Sequence, residues 1–128
     1  MNETAIDYGR KRTGFATCLS GVVVPLDPLT DTTWNGIVRK LKQIHAENGA
    51  GTVIVGLPLT STGKPTELSI EVEKLAEYLT ENGFSVKLVR ETGSTIEADE
   101  GSRKNRLRDG RKDSLAAMVI LKRYLDMP

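Results

Sequence analysis

Three carboxylates stand where a chain commonly delivers side chains to a shared site. Asp7 follows the short apolar run Thr4-Ala5-Ile6, Glu91 follows the run from Phe84 to Val89, and Asp113 precedes Ser114-Leu115-Ala116-Ala117. Acids brought together without cations between them raise one another's pKa, so such a cluster usually exists to hold a divalent cation. Oxygen donors with no His or Cys beside them favour Mg2+ or Mn2+ over zinc. The chemistry best served is phosphodiester hydrolysis, in which two metals about 3.5–4 Å apart activate water and stabilise the leaving oxygen. Asp7, Glu91 and Asp113 are therefore the expected metal-binding and catalytic residues. Taken singly, each has a plainer reading: Asp7 as a turn residue, Glu91 as a solvated acid, Asp113 as a helix N-cap or first-turn acid.

The cations are placed to match. The formal net charge is only +1, but residues 103–112 set Arg103, Lys104, Arg106, Arg108, Arg111 and Lys112 against Asp109 alone. That run carries +5 and leaves −4 on the rest of the chain. A second basic turn, Arg10-Lys11-Arg12, directly follows the Asp7 strand. Lysine and arginine neutralise phosphates and release counterions, giving salt-dependent binding that ignores sequence. These nine residues are the expected nucleic-acid contacts. No aromatic residue interleaves the longer run, so base stacking is not expected there.

The elements that must position these groups follow from periodicity. A strand ends at Asp7, Thr13 to Leu19 reads as a second, and Ser20-Gly21 turns into a third at Val22-Val23-Val24, which Pro25 is expected to loosen. Trp34, Ile37, Val38, Leu41 and Ile44 fall at helical spacing, with Asp31 as the expected N-cap and Gly49 as the stop. Thr52 to Gly56 is a β-branched run suited to a strand covered on both faces. Leu68, Val72, Leu75, Ala76 and Leu79 stripe a second helix ended by Asn82-Gly83, and Phe84 to Val89 alternates as a fifth strand. Ile96 and Ala98 suggest a weak helix, residues 101–110 a loop or frayed helix, and Leu115 to Leu125 a largely buried last helix. Right-handed crossovers then give an α/β fold with a five-stranded mixed sheet of order 3-2-1-4-5. Asp7, Gly56-Leu57-Pro58 and Glu91 converge at one end of it.

With 128 residues, 38% hydrophobic and 27% charged, the chain reads as one domain, residues 1–128, and neither disordered nor coiled coil. One cysteine, Cys18, permits no internal disulfide, and no run approaches a membrane span. The expected setting is the cytoplasm, without membrane association.

The sequence Ile6-Asp7-Tyr8-Gly9, Lys11-Arg12-Thr13-Gly14, Ile54-Val55-Gly56-Leu57-Pro58-Leu59, and Asp113-Ser114-Leu115-Ala116-Ala117 with Ile120-Leu121 and Tyr124-Leu125 resembles the YqgF/RuvX family. The likeness spans nearly the whole chain. It implies an RNase H-like three-layer fold with helices on both faces of the sheet, and a Holliday junction resolvase or a nuclease maturing the 5′ end of pre-16S ribosomal RNA. The family's metal-binding acids fall on Asp7, Glu91 and Asp113, and cleavage would leave a 5′-phosphate and a 3′-hydroxyl. The partner is then a structured RNA precursor or branched DNA, and the protein a monomer or, for a junction, a homodimer. One departure is Arg90, which stands where the family commonly has an acid beside Glu91. A cation there would compete with metal, which motivates a second reading: a catalytically weakened nucleic-acid-binding protein of the same fold. A third, the sugar kinase and actin-like fold, shares the Asp-x-Gly turn but requires a second domain.

Overall fold

In the computed structural model, residues 2–30, 32–91 and 111–126 are described, with side chains in the last segment from residue 114 onward. The chain begins as an antiparallel meander of β1 (Thr4–Asp7), β2 (Thr13–Leu19) and β3 (Val22–Leu29). Gly9 makes the first reversal possible, because a Cβ there would lie 2.4 Å from the Arg12 carbonyl oxygen. Ser20 and Gly21 both take positive φ, 52° and 82°, as a two-residue hairpin turn requires. Pro25, expected to loosen the third strand, does not interrupt it. β3 runs on through Pro25 and Pro28 to Leu29 because it is an edge strand, where a missing backbone donor can face away from the sheet.

Helix α1 (Trp34–Asn48) is capped by Thr33, whose hydroxyl accepts from the Gly36 amide at 3.1 Å, and Gly49 at φ 90° stops it. The expected cap, Asp31, lies outside the described residues. Strand β4 (Val53–Pro58) carries the β-branched run two residues past Gly56. Helix α2 (Glu67–Glu81) opens with a reciprocal capping box between Thr66 and Ser69. Strand β5 (Val86–Glu91) is displaced from the expected start at Phe84, so Glu91 is its last residue. Helix α3 (Arg111–Tyr124) starts ahead of Asp113, which falls in its first turn. The weak helix around Ile96 and the loop at 101–110 lie outside the described residues.

The sheet order is β3-β2-β1-β4-β5, with β1, β4 and β5 parallel. Side chains alternate across it, and each face builds its own core. Ile6, Phe15, Val55 and Leu57 pack with Ile37 and Leu41 of α1 and Leu75 and Leu79 of α2. Ala5, Ala16 and Ile54 pack with Ala117, Ile120 and Leu121 of α3, where three alanines let helix and sheet approach closely. Each large apolar side chain so buried contributes about 1.5–3 kcal/mol. Helix α3 buries one face only, contrary to the expectation of burial on most sides: Leu115 and Val119 are 53% and 41% exposed. Among the described residues no helix is long and apolar enough to cross a membrane.

Candidate active site

Alternation decides which side chains share the α3 face. Ala5 and Ile54 belong to the α3 core and Val89 packs against it, so Asp7, Gly56 and Glu91, two residues further along each strand, point the same way. Because β1, β4 and β5 are parallel, these positions also lie toward one end of the sheet. Ser114 Oγ donates to the Leu26 carbonyl, which fixes the first turn of α3 over β3. Leu26 pairs with Phe15, and Phe15 with Ile6, so this turn lies level with the end of β1. Asp113 thus arrives from the β3 side, Glu91 from the β5 side, and Asp7 lies on β1 between them. The side chain of Asp113 lies outside the described residues.

Glu91 occupies a fitted recess. A Cβ on Gly56 would stand 2.6 Å from Glu91 Oε2 and 2.6 Å from Ile120 Cδ1, so the bare glycine is what admits the carboxylate between strand and helix. Burial there pushes the Glu91 carboxyl above its usual range, and the Arg123 guanidinium pulls it partly back. Arg123, in the last turn of α3, also donates from Nη1 to the Arg90 carbonyl at 3.5 Å. Arg90 itself points to the opposite face, where its Nη2 lies 3.9 Å from the Cβ position of Gly63. The cation that neighbours Glu91 in sequence is therefore separated from it by the sheet, and the one that faces it comes from α3.

The first basic turn is tied to α2. Arg10 Nη2 and Nε reach Glu71 Oε1 at 3.2 and 3.3 Å, and the Tyr8 hydroxyl donates to Glu71 Oε2 at 2.5 Å. These bonds hold the Glu71 carboxyl below its usual range, the Tyr8 hydrogen bond first among the causes. Desolvation, with the Glu71 carboxylate beside it, raises the Tyr8 phenol. Arg10 is spent partly on positioning the turn, whereas Lys11 and Arg12 are exposed at its tip. Arg103, Lys104, Arg106 and Arg108 lie outside the described residues, as do the side chains of Arg111 and Lys112.

Sequence reasoning brought Gly56 to this end of the sheet without its role, and it missed Glu71 and Arg123. Gly56 was expected as the last residue of its strand, yet it lies inside β4; a glycine interrupting a β-branched strand signals a close approach, here of Glu91. Glu71 and Arg123 give no signal, since a charged residue on an amphipathic helix looks the same whether or not it meets a partner.

The donor set fits a hard divalent cation. Asp7 and Glu91 offer carboxylate oxygens on one face, and the desolvation that raises Glu91 is what a neighbouring cation would offset. Among the described residues no three His, Cys, Asp or Glu side chains stand close enough to hold a metal ion. The expected third donor, Asp113, has its backbone in the first turn of α3.

Comparisons with known proteins identify the fold and the family. Curated relatives include proteins from Helicobacter pylori strain HPAG1, 34% identical over 127 residues with 94% of this chain and 92% of the relative covered. Others come from Dictyoglomus turgidum, 32% identical with 98% and 94% covered, and Mycoplasmopsis synoviae, 30% identical with 99% and 98% covered. Each carries the provisional name of a pre-16S rRNA nuclease. Among solved structures, Thermus thermophilus RuvC in complex with a Holliday junction substrate superposes with a TM-score of 0.56 at 12% identity, covering 98% of this chain and 95% of that one. That likeness establishes the RNase H-like fold. The model of the RuvX family, Holliday junction resolvases, matches residues 1–127, and the chain belongs to that family.

Proposed function

We propose that residues 1–128 form one nuclease domain that hydrolyses phosphodiester bonds in structured nucleic acid. Its substrates on this reading are the 5′ end of pre-16S ribosomal RNA, a branched DNA junction, or both, encountered in the cytoplasm. The observation that carries the proposal is the recess that holds the desolvated Glu91 carboxylate on the same face and at the same end of the sheet as Asp7, beside the first turn of α3.

Asp7, Glu91 and Asp113 would hold Mg2+ or Mn2+, which supplies charge neutralisation and an activated water. The protein's own part is positional. Gly56 and Ile120 fix Glu91, and the tie from Glu71 to Tyr8 and Arg10 holds the turn that follows Asp7. Lys11, Arg12 and the cations between Arg103 and Lys112 would carry the substrate backbone through its phosphates, which accounts for binding by shape rather than sequence. Arg90, which motivated the alternative of a weakened, binding-only protein, leaves the sheet on the face opposite Glu91, and the cation facing Glu91 is Arg123.

The test incubates the full chain with a labelled four-way DNA junction and with a pre-16S RNA 5′ fragment, in Mg2+, in Mn2+ and in chelator. Metal-dependent cleavage of either substrate, lost in Asp7→Asn, is the expected result. Tight binding without cleavage under any metal would overturn it. Junction resolution requires two symmetric cuts and hence a dimer. Strictly monomeric sedimentation with junction bound would therefore leave the ribosomal precursor as the substrate.

A further inference from the structure

The edge of the sheet formed by β5 is a second, chemically distinct surface. Val53 N donates to Ser85 O and Leu59 N to Glu91 O, each at 2.8 Å. In a parallel ladder these two bonds fix the alternation: residues 85, 87, 89 and 91 turn their backbone groups toward β4, and Val86, Leu88 and Arg90 turn theirs outward. Arg123 meets the outward carbonyl of Arg90. Among the described residues no strand pairs with the outward amides and carbonyls of Val86 and Leu88. Leu88 is 40% exposed for the same reason.

Beside this edge runs an open groove of about 690 Å³ between β5 and α2. Val86 and Leu88 form its floor, and Glu73, Glu77 and Glu81, exposed at successive helical turns, form its wall with Thr80. Lys87 is the one cation among its lining residues. An unpaired strand edge recognises extended backbone, and alternate side chains of an added strand would fall into the groove.

We infer that the β5 edge and the α2 groove dock a basic, extended protein segment, which joins the sheet next to Val86 and Leu88 with its cations against Glu73, Glu77 and Glu81. The charge selects this occupant over two others. A nucleic-acid backbone is repelled by the three glutamates. A second copy pairing through β5 about a two-fold axis would bring two such acidic rows side by side on one face, where like charges oppose association. The groove borders the first half of β5, whereas Glu91 lies at its far end, so docking leaves the cleavage site open.

The probe is acetyl-(Lys-Val)3-amide, with (Glu-Val)3 and a version of the lysine peptide N-methylated at every residue as controls, titrated into the 15N-labelled full chain at low salt. The expected result is saturable shifts and slowed amide exchange at Val86, Leu88 and Arg90 with the lysine peptide only. Loss of binding on N-methylation, which keeps the charges and removes the residues' backbone donors on both edges, reports strand addition. Glu73→Lys/Glu77→Lys/Glu81→Lys should weaken binding about tenfold while nuclease turnover stays unchanged. The inference fails if both peptides bind alike, if the N-methylated peptide or the triple variant retains full affinity, or if the shifts fall elsewhere. Shifts at β5 that follow protein concentration without peptide would make the occupant a second copy and overturn it equally.

Discussion

Gly56→Ala places a single methyl group against the two side chains that define the Glu91 recess. The new Cβ would stand 2.6 Å from Glu91 Oε2 and 2.6 Å from Ile120 Cδ1, closer than real Cβ contacts come, and 3.1 Å from Ile120 Cγ1, tighter than most. The first two are the ends of flexible side chains, so the backbone survives and the side chains yield. Overpacking of this size costs about 1–3 kcal/mol. At about 4 °C per kcal/mol for a chain of this length, the Tm falls by about 4–12 °C. A carboxylate displaced by about 1 Å costs on the order of 100-fold in turnover, since positioning supplies much of the rate.

Ile120→Val separates the two consequences. It removes Cδ1, costs about 0.5–1.5 kcal/mol alone, and relieves the closer of the two overlaps on the helix side. Gly56→Ala/Ile120→Val should therefore recover thermal stability close to that of Ile120→Val while cleavage stays low, because the methyl group still opposes Glu91 Oε2. Thermal unfolding and single-turnover cleavage of a labelled junction or precursor RNA read the two effects. Gly56→Ala with wild-type turnover and wild-type Tm would refute the recess as the device that positions Glu91.

Three further outcomes follow from the electrostatics. Burial raises the Glu91 pKa above the unfolded value of 4.5, so the folded state holds a proton that the unfolded state has released, and stability falls as pH rises through that window. Glu91→Gln should therefore raise the metal-free Tm at pH 7, and added Mn2+ should stabilise the wild type more than the variant. His45 shows the opposite sign: burial lowers its pKa from 6.5, its ring meets Phe84 edge-on at 5.5 Å, and its Nε2 has no hydrogen-bond partner among the described residues. Its contribution is present above about pH 6.5 and lost as pH falls, so His45→Leu should flatten the Tm profile between pH 7.5 and 5.5. Tyr8→Phe removes the leading cause of the low Glu71 pKa and costs about 1 kcal/mol. Stability that Glu71 holds above pH 4.5 and loses in acid should shrink, as acid titration of the Tm will show.

What the sequence made legible was whatever depends on period and punctuation. Strand order, the meander, both crossover helices and the strand-end positions of Asp7 and Glu91 all follow from apolar spacing and from turn residues such as Gly9, Gly21, Gly49 and Gly83. Boundaries slipped where tertiary context overrode local preference: β3 survives two prolines because only one of its sides is paired, and β5 starts late because Val53 fixes its register against Val86. Asp113 takes the first-turn place in α3 that was one of its two plainer readings, and the Ser114 bond to Leu26 ties that turn to β3, a partner 88 residues away in the chain.

Neighbours in sequence also proved poor guides to neighbours in space at Glu91. Arg90 is adjacent in the chain and would seem to compete for the carboxylate, but strand alternation sends it through the sheet to the side of Gly63. Arg123, 32 positions away from Glu91, is the cation that lowers its pKa, because the α3 helix crosses the sheet and ends beside β5. The same alternation makes Gly56 informative. Its neighbours Val55 and Leu57 face α1 and α2, where large side chains are wanted, and only the position between them faces α3, where the space is already filled by Ile120 and a carboxylate. A glycine placed there weakens the strand and stabilises nothing by itself, so its cost makes sense only as the condition for holding Glu91 in place.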